Sequence, residues 1–199
     1  MAEIEPLPAT TRHLVIDMQR LFAEETDWHT PAIADILPNV LRLSRERPDR
    51  TLFARFMVPA NPALASGRWQ TYYHRWANLT ADRLAPGMLD LVAPLAALAT
   101  PASVVDKTTY SIFESPGFDG RLKAEGVDTL VFSGVETDVC VLASLFDAVD
   151  RGYRVVAVSD AMASSSPASH AAMMEHLFPR LPEQIDVAAT DTVLKAWAQ

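Results

Sequence analysis

Three side chains carry the chemistry this sequence offers: Asp17, Lys107 and Cys140. Cys140 is the single cysteine in 199 residues, which excludes an intrachain disulfide and falls short of the two thiolates that a cysteine-rich zinc site needs from one chain. Taken singly, each of the three has an ordinary reading. A free cysteine is most often a small buried hydrophobe, Asp17 could be a loop carboxylate or helix cap, and Lys107 a solvated surface charge. Position supplies the other reading. Asp17 ends the apolar run His13-Leu14-Val15-Ile16, Lys107 follows Ser103-Val104-Val105-Asp106, and Cys140 lies beyond Thr129-Leu130-Val131-Phe132-Ser133, in the first turn of the next helix. A thiol there feels the positive end of the helix dipole, which favours the thiolate, and a nearby lysine adds to that. The three read as a nucleophile and two charged partners facing one crevice.

The elements that must position them alternate. Strands are expected at His13–Asp17, Thr51–Phe56, Ser103–Asp106, Thr129–Ser133, Arg154–Val158 and Ile185–Ala188. Between them, helical spacing of apolar residues marks Ile33–Glu46, Phe118–Glu125, Thr137–Asp150 and Ser169–Leu177, with Pro38 expected to start or kink the first of these. Near-continuous Val, Leu and Ile strands alternating with amphipathic helices require a parallel sheet covered on both faces. The expected fold is a three-layer α/β/α sandwich with a mostly parallel, roughly six-stranded, Rossmann-like sheet. Such sheets place their sites outside the carboxyl ends of the strands, where Asp17, Lys107 and Cys140 all fall.

Asp17-Met18-Gln19, Lys107-Thr108-Thr109-Tyr110-Ser111-Ile112-Phe113 and Gly134-Val135-Glu136-Thr137-Asp138-Val139-Cys140 resemble, in order and spacing, the three signatures of the isochorismatase-like cysteine hydrolases, relatives of nicotinamidase and N-carbamoylsarcosine amidohydrolase. The resemblance runs from about Arg12 to Val193, and its third motif is the most specific. It implies a catalytic triad in which Cys140 attacks a carbonyl, Asp17 relays the proton and Lys107 holds the pair. It further implies a cis peptide between Val135 and Glu136 that aims the backbone N–H groups of Glu136 and Cys140 at an oxyanion. A thioester intermediate divides amide cleavage into two easier steps, so the implied activity is hydrolysis of a C–N bond in a small amide or ureido compound. The alternatives are an isochorismatase-type ether hydrolase, against which Cys140 argues, and a non-catalytic binding or interaction member of the fold. Redox sensing by the lone thiol lacks an intrachain resolving cysteine.

The chain departs from the family after Gln19, where Arg20-Leu21-Phe22 keeps only the phenylalanine of an Asn-Asp-Phe triplet. Where nicotinamidases carry metal-binding aspartate and histidines, this chain reads Arg55-Phe56-Met57-Val58-Pro59, so no catalytic metal and no cofactor is expected. The five histidines show no ligand spacing. Residues 59–101 form the long region without clear regular structure, expected as a loop or cap. Within it, Arg68 to Trp76 combines aromatics with arginines and has three readings: nucleic-acid stacking, subunit packing, or a wall of the pocket. Phe22, Trp69, Tyr72, Trp76 and Tyr110 are the candidate pocket residues, with Arg55, Arg68 or Arg75 as a candidate anchor for a substrate carboxylate.

A formal charge of −8, from 17 basic and 25 acidic residues, argues against nucleic acid or an anionic membrane as partner. The length and 49% hydrophobic content fit one domain over residues 1–199. The acidic, proline-containing start lacks the pattern of a signal peptide, and Met88–Val105, broken by Asp90, Pro94 and Pro101, is a poor membrane span. The expectation is a cytoplasmic enzyme with a small-molecule substrate, acting as a homo-oligomer, dimer or tetramer, as members of the resembled family commonly do.

Overall fold

The computed structural model describes residues 4–197, so the ends of the expected 1–199 domain lie outside the described residues. Six parallel strands, β1 (Arg12–Ile16), β2 (Thr51–Phe56), β3 (Val104–Lys107), β4 (Thr129–Val135), β5 (Arg154–Ala163) and β6 (Ile185–Ala188), form one sheet in the order β3-β2-β1-β4-β5-β6. Every residue of β1 and β4 is buried, as a central parallel strand covered on both faces requires. The helices are α1 (Arg20–Ala23), α2 (Ile33–Glu46), α3 (Arg68–Arg75), α4 (Ala93–Ala96), α5 (Phe118–Ala124), α6 (Leu142–Asp150), α7 (Pro167–Ala172) and α8 (Thr190–Trp197). α2 and α8 pack together and against β5. The crossover from β1 to β2 runs along the sheet in the opposite sense to that from β4 to β5, so right-handed connections put α2 and α6 on opposite faces. The result is the expected α/β/α sandwich. The strand order reverses between β1 and β4, and the crevice opens at their carboxyl ends.

Four local expectations are corrected. α2 begins at Ile33 and continues through Pro38, so the helix does not start there. Pro38 and Ala34, whose carbonyl loses its partner there, are both exposed, so water can replace the missing bond. The expected helix over Thr137–Asp150 begins as a π-helical turn, Thr137–Val141, before α6. Residues 59–101 hold α3 and α4: Trp69, Tyr72, Tyr73 and Trp76 recur at helical spacing and pack against Trp28, Phe56 and Tyr110. β5 extends to Ala163, with a register shift against β4 between Phe132 and Gly134.

Gly134 explains how β1 and β4 close upon each other at the crevice. Its φ is +106°, and a Cβ there would lie 2.1 Å from the Ile16 carbonyl oxygen, so both the conformation and the contact exclude a side chain. The following peptide, Val135–Glu136, is cis. Gly134→Ala is expected to destabilise the protein by about 3 kcal/mol or more, read as a lower urea midpoint.

His13 in β1 is fully buried, its Nε2 2.7 Å from Ser133 Oγ in β4. Burial lowers its pKa from 6.5 to about 3. Below pH 6.5 the unfolded chain takes up a proton that the folded protein refuses, so this stability is complete above pH 6.5 and drains as pH falls towards 3. Unfolding free energy should therefore drop by roughly 3–5 kcal/mol more between pH 7 and pH 3 in the parent than in His13→Gln, measured by urea titration; parallel pH profiles would refute this.

Candidate active site

The crevice is assembled from strand ends. Asp17, the first residue after β1, has φ +52°, a left-handed conformation that aspartate tolerates at modest cost. Its carboxylate is buried at 1% side-chain exposure and accepts a 2.8 Å hydrogen bond from Lys107 Nζ, whose side chain is fully buried at the end of β3. Lys107 also donates to the Thr109 carbonyl at 3.2 Å and lies 4.7 Å above the Phe56 ring at the end of β2. β2 separates β1 from β3, so Phe56 fills the space beneath the ion pair. Gln19 locks this edge. Its Oε1 accepts from Phe56 N at 2.6 Å, and its Nε2 donates to the carbonyls of Phe56 and Leu89 at 3.2 and 2.8 Å.

Cys140 reaches the same place from the π-helical turn after β4. The Glu136 carbonyl accepts from Val139 N and Val141 N, both at 3.1 Å, which pins the turn. Ser144 Oγ donates to the Cys140 carbonyl at 2.7 Å and accepts from Ile112 N at 3.1 Å, joining the turn to the segment after Lys107. Cys140 and Asp17 line the same cavity, and the charges of Asp17 and Lys107 both act on the thiol. Asp17 Oδ1 is buried and has no hydrogen-bond partner.

Electrostatics follow from burial. Desolvation raises the Asp17 pKa above its ordinary value, and the Lys107 charge only partly offsets it. Desolvation works against the Lys107 ammonium, but the Asp17 and Cys140 charges outweigh it and leave the lysine above its ordinary value. Burial, reinforced by the Asp17 charge, pushes the Cys140 thiol well up despite Lys107. The residue is 7% exposed, so loss of water acts against the thiolate that a helix N-terminus and a nearby lysine favour.

Above it lies a cavity of about 40 Å³ lined by Asp17, Phe22, Trp28, Phe56, Tyr72, Tyr110, Glu136, Val139 and Cys140. The sequence model of the family described as Isochorismatase domain matches residues 11–189. The chain belongs to the isochorismatase family. Its relatives include a ureidoacrylate amidohydrolase, RutB, of Methylobacterium radiotolerans, 30% identical over 97% of this chain and 84% of that protein. A probable inactive nicotinamidase of Arabidopsis thaliana is 30% identical over 81% of this chain and 85% of the relative. A cysteine hydrolase from Pseudomonas syringae pv. phaseolicola superposes with a TM-score of 0.80 at 26% identity, covering 98% of this chain and 95% of that one.

Against this isochorismatase-family frame, the structure brings Asp17, Lys107 and Cys140 together and puts Phe22, Tyr72, Tyr110 and Glu136 in the cavity wall. Trp69 stands one layer back, with its ring centroid 4.8 Å from that of Tyr110 and 5.3 Å from that of Tyr72. Trp76 packs on Trp28 at 6.2 Å, beneath the Arg75 guanidinium. Arg55 is a correction. Phe56 faces the site, so its neighbour on the strand must face away, and Arg55 instead makes a two-point ion pair with Asp106 at 2.8 and 2.9 Å. Sequence reasoning missed Trp28, Phe56 and Val139. Phe56 carried a usable signal, since it ends a strand as Asp17 does; Trp28 sits in a polar loop with no periodicity to mark it. Among the described residues, no group of three or more His, Cys, Asp or Glu side chains is placed to hold a metal ion, and no helix is long and apolar enough to cross a membrane.

Because Cys140 is the only thiol, its alkylation reads the site directly. Iodoacetamide labelling at pH 7.5, followed by intact mass, should run at least tenfold slower than for a free thiol and should rise without a plateau to pH 9. A thiolate plateau below pH 7 would contradict the buried-thiol state.

Proposed function

We propose that this isochorismatase-family protein is a cysteine amidohydrolase, cleaving a C–N bond of a small amide or ureido compound through a thioester on Cys140. The observation that carries this reading is the buried constellation of Asp17, Lys107 and Cys140, with Asp17 Oδ1 left for the thiol. Asp17 takes the thiol proton as Sγ attacks the substrate carbonyl. The oxyanion is received by the backbone N–H groups of Glu136 and Cys140. The proton then passes from Asp17 to the leaving nitrogen as the C–N bond breaks. Water attacks the thioester with Asp17 as base, releasing the acid and restoring the thiol. Lys107 stays protonated throughout and keeps Asp17 ionised against the cost of burial.

The amidohydrolase names of relatives support the C–N bond class. The relative named as inactive gives the non-catalytic alternative its specific footing, and turnover decides between them. We also read the chain as cytoplasmic, since an oxidising compartment would threaten its nucleophile. A homo-oligomer, dimer or tetramer, is the assembly expected, with support from the 69% exposure of Leu64 beside an apolar hollow of about 340 Å³; light scattering tests it.

Purified protein should release ammonia from members of a panel of small amides and ureido compounds, and Cys140→Ala should lower kcat at least 1000-fold. Turnover that persists in Cys140→Ala would sink the nucleophile assignment, and no turnover on any substrate would favour the non-catalytic reading. Activity requires ionised Asp17, so kcat/KM should fall as pH drops through a pKa raised above the ordinary carboxylate range. Lys107→Gln removes the opposing charge and should move that acid limb to higher pH; an unmoved limb would count against the ion-pair role.

A further inference from the structure

The charge inside the cavity is unbalanced. Two acidic side chains line it, Asp17 and Glu136, and no lysine, arginine or histidine does among the described residues. Asp17 is matched by Lys107. The lysine's remaining contacts go to the Thr109 carbonyl and the Phe56 ring, and its side chain is fully buried, so it has little left for a substrate anion. Arg55, which would be the anchor for a carboxylate, is committed to Asp106 and lies 3.7 Å from Asp90. Glu136 therefore supplies the uncompensated charge.

Its side chain is fixed by its surroundings. Oε1 accepts from Ser165 N at 2.8 Å and from the hydroxyl of buried Thr30 at 3.3 Å. Both bonds end on Oε1, which leaves Oε2 to accept from a donor in the cavity. The opposite wall is apolar and aromatic, with Trp28 and Phe22 stacked at 6.0 Å. A carboxylate entering here would lose its water against aromatic faces, meet a like charge, and find no free cation. An amide or ammonium nitrogen would find an acceptor of the right sign.

We propose that the Glu136 side chain is the charge selector of this site: it orients uncharged or cationic small amides through an N–H group and excludes those bearing a carboxylate. The inference rests on the Cys140 cavity being the substrate site. It separates this chain from its relative named for ureidoacrylate, an acid anion. This side-chain role is distinct from that proposed for the Glu136 backbone.

The test uses three amides of similar length: butyramide, β-alaninamide and succinamate, respectively neutral, cationic and anionic. Binding is followed by tryptophan fluorescence, since Trp28 lines the cavity, and turnover by ammonia release, each with the parent protein and with Cys140→Ala. Butyramide and β-alaninamide should be favoured over succinamate at least 100-fold in Kd and, where turnover occurs, in kcat/KM. Glu136→Gln, which keeps the shape and removes the charge, should narrow the cation-to-anion ratio at least tenfold. Equal binding of the three, no binding of any, or a ratio unchanged in a folded Glu136→Gln protein would overturn the proposal. Should that variant fail to fold, the ranking in the parent protein stands as the test. Charge-ranked binding without turnover would sink the hydrolase reading and leave the selector standing. Turnover dependent on Cys140 that favours succinamate would do the reverse.

Discussion

Burying Asp17 against Lys107 is the constraint around which the rest of the structure is arranged. Taking two charges out of water costs several kcal/mol per ion, which their attraction repays only when geometry is good and the remaining polar atoms are satisfied. The fold meets that condition with three parallel strands. β1 and β3 deliver the two groups from either side of β2, and Phe56 at the end of β2 gives the ammonium a ring face. The Thr109 carbonyl takes a further Lys107 proton. Gln19 then ties the ends of β1 and β2 to the Leu89 carbonyl with three hydrogen bonds. One acceptor, Asp17 Oδ1, is left without a partner, and it is the one the proposed mechanism uses.

The same burial decides how the thiol is held ready. A solvent-exposed cysteine at a helix start would rest as a thiolate and be open to oxidation. Here desolvation keeps the proton on sulfur and raises the Asp17 pKa in the same enclosure. Both groups therefore hold a proton more tightly than they would in water. Lys107, whose own pKa is raised, is the charge that opposes this at both. The positive φ of Asp17, the glycine at 134 and the π-helical turn are the backbone conditions under which these groups meet.

What was legible in the sequence was whatever depended on local pattern. Apolar runs located all six strands, and the rule that sites gather at strand ends pointed to Asp17, Lys107 and Cys140 before any contact was known. Legibility failed where tertiary contacts decide. The Arg55 side chain follows from strand alternation once Phe56 is known to face the cavity, but which of the two faces inwards is not written in either residue. α3 is the exception, since Trp69, Tyr72, Tyr73 and Trp76 already stand at helical spacing; what the sequence does not show is that Tyr73 is buried and that Trp69 and Tyr72 pack on Tyr110 and Trp28. Burial of the thiol was not legible either, because dipole and charge can be read from sequence position, whereas desolvation depends on what covers the residue.

The small volume of the cavity gives the aromatic wall a role in deciding what fits. About 40 Å³ accommodates roughly one or two waters, so it matches the carbonyl headgroup of an amide and little beyond. Any larger acyl portion must find room where Trp28, Tyr72 and Tyr110 now close over the thiol. Trp69 stands behind Tyr110 and lines the neighbouring hollow of about 340 Å³. Displacing one ring therefore disturbs several ring contacts at once, each worth on the order of 1 kcal/mol. Reaction chemistry is thus fixed at the rigid edge of the sheet, while the size of the acyl group is set by how readily packed rings give way, and its charge by the one carboxylate that nothing in the wall neutralises.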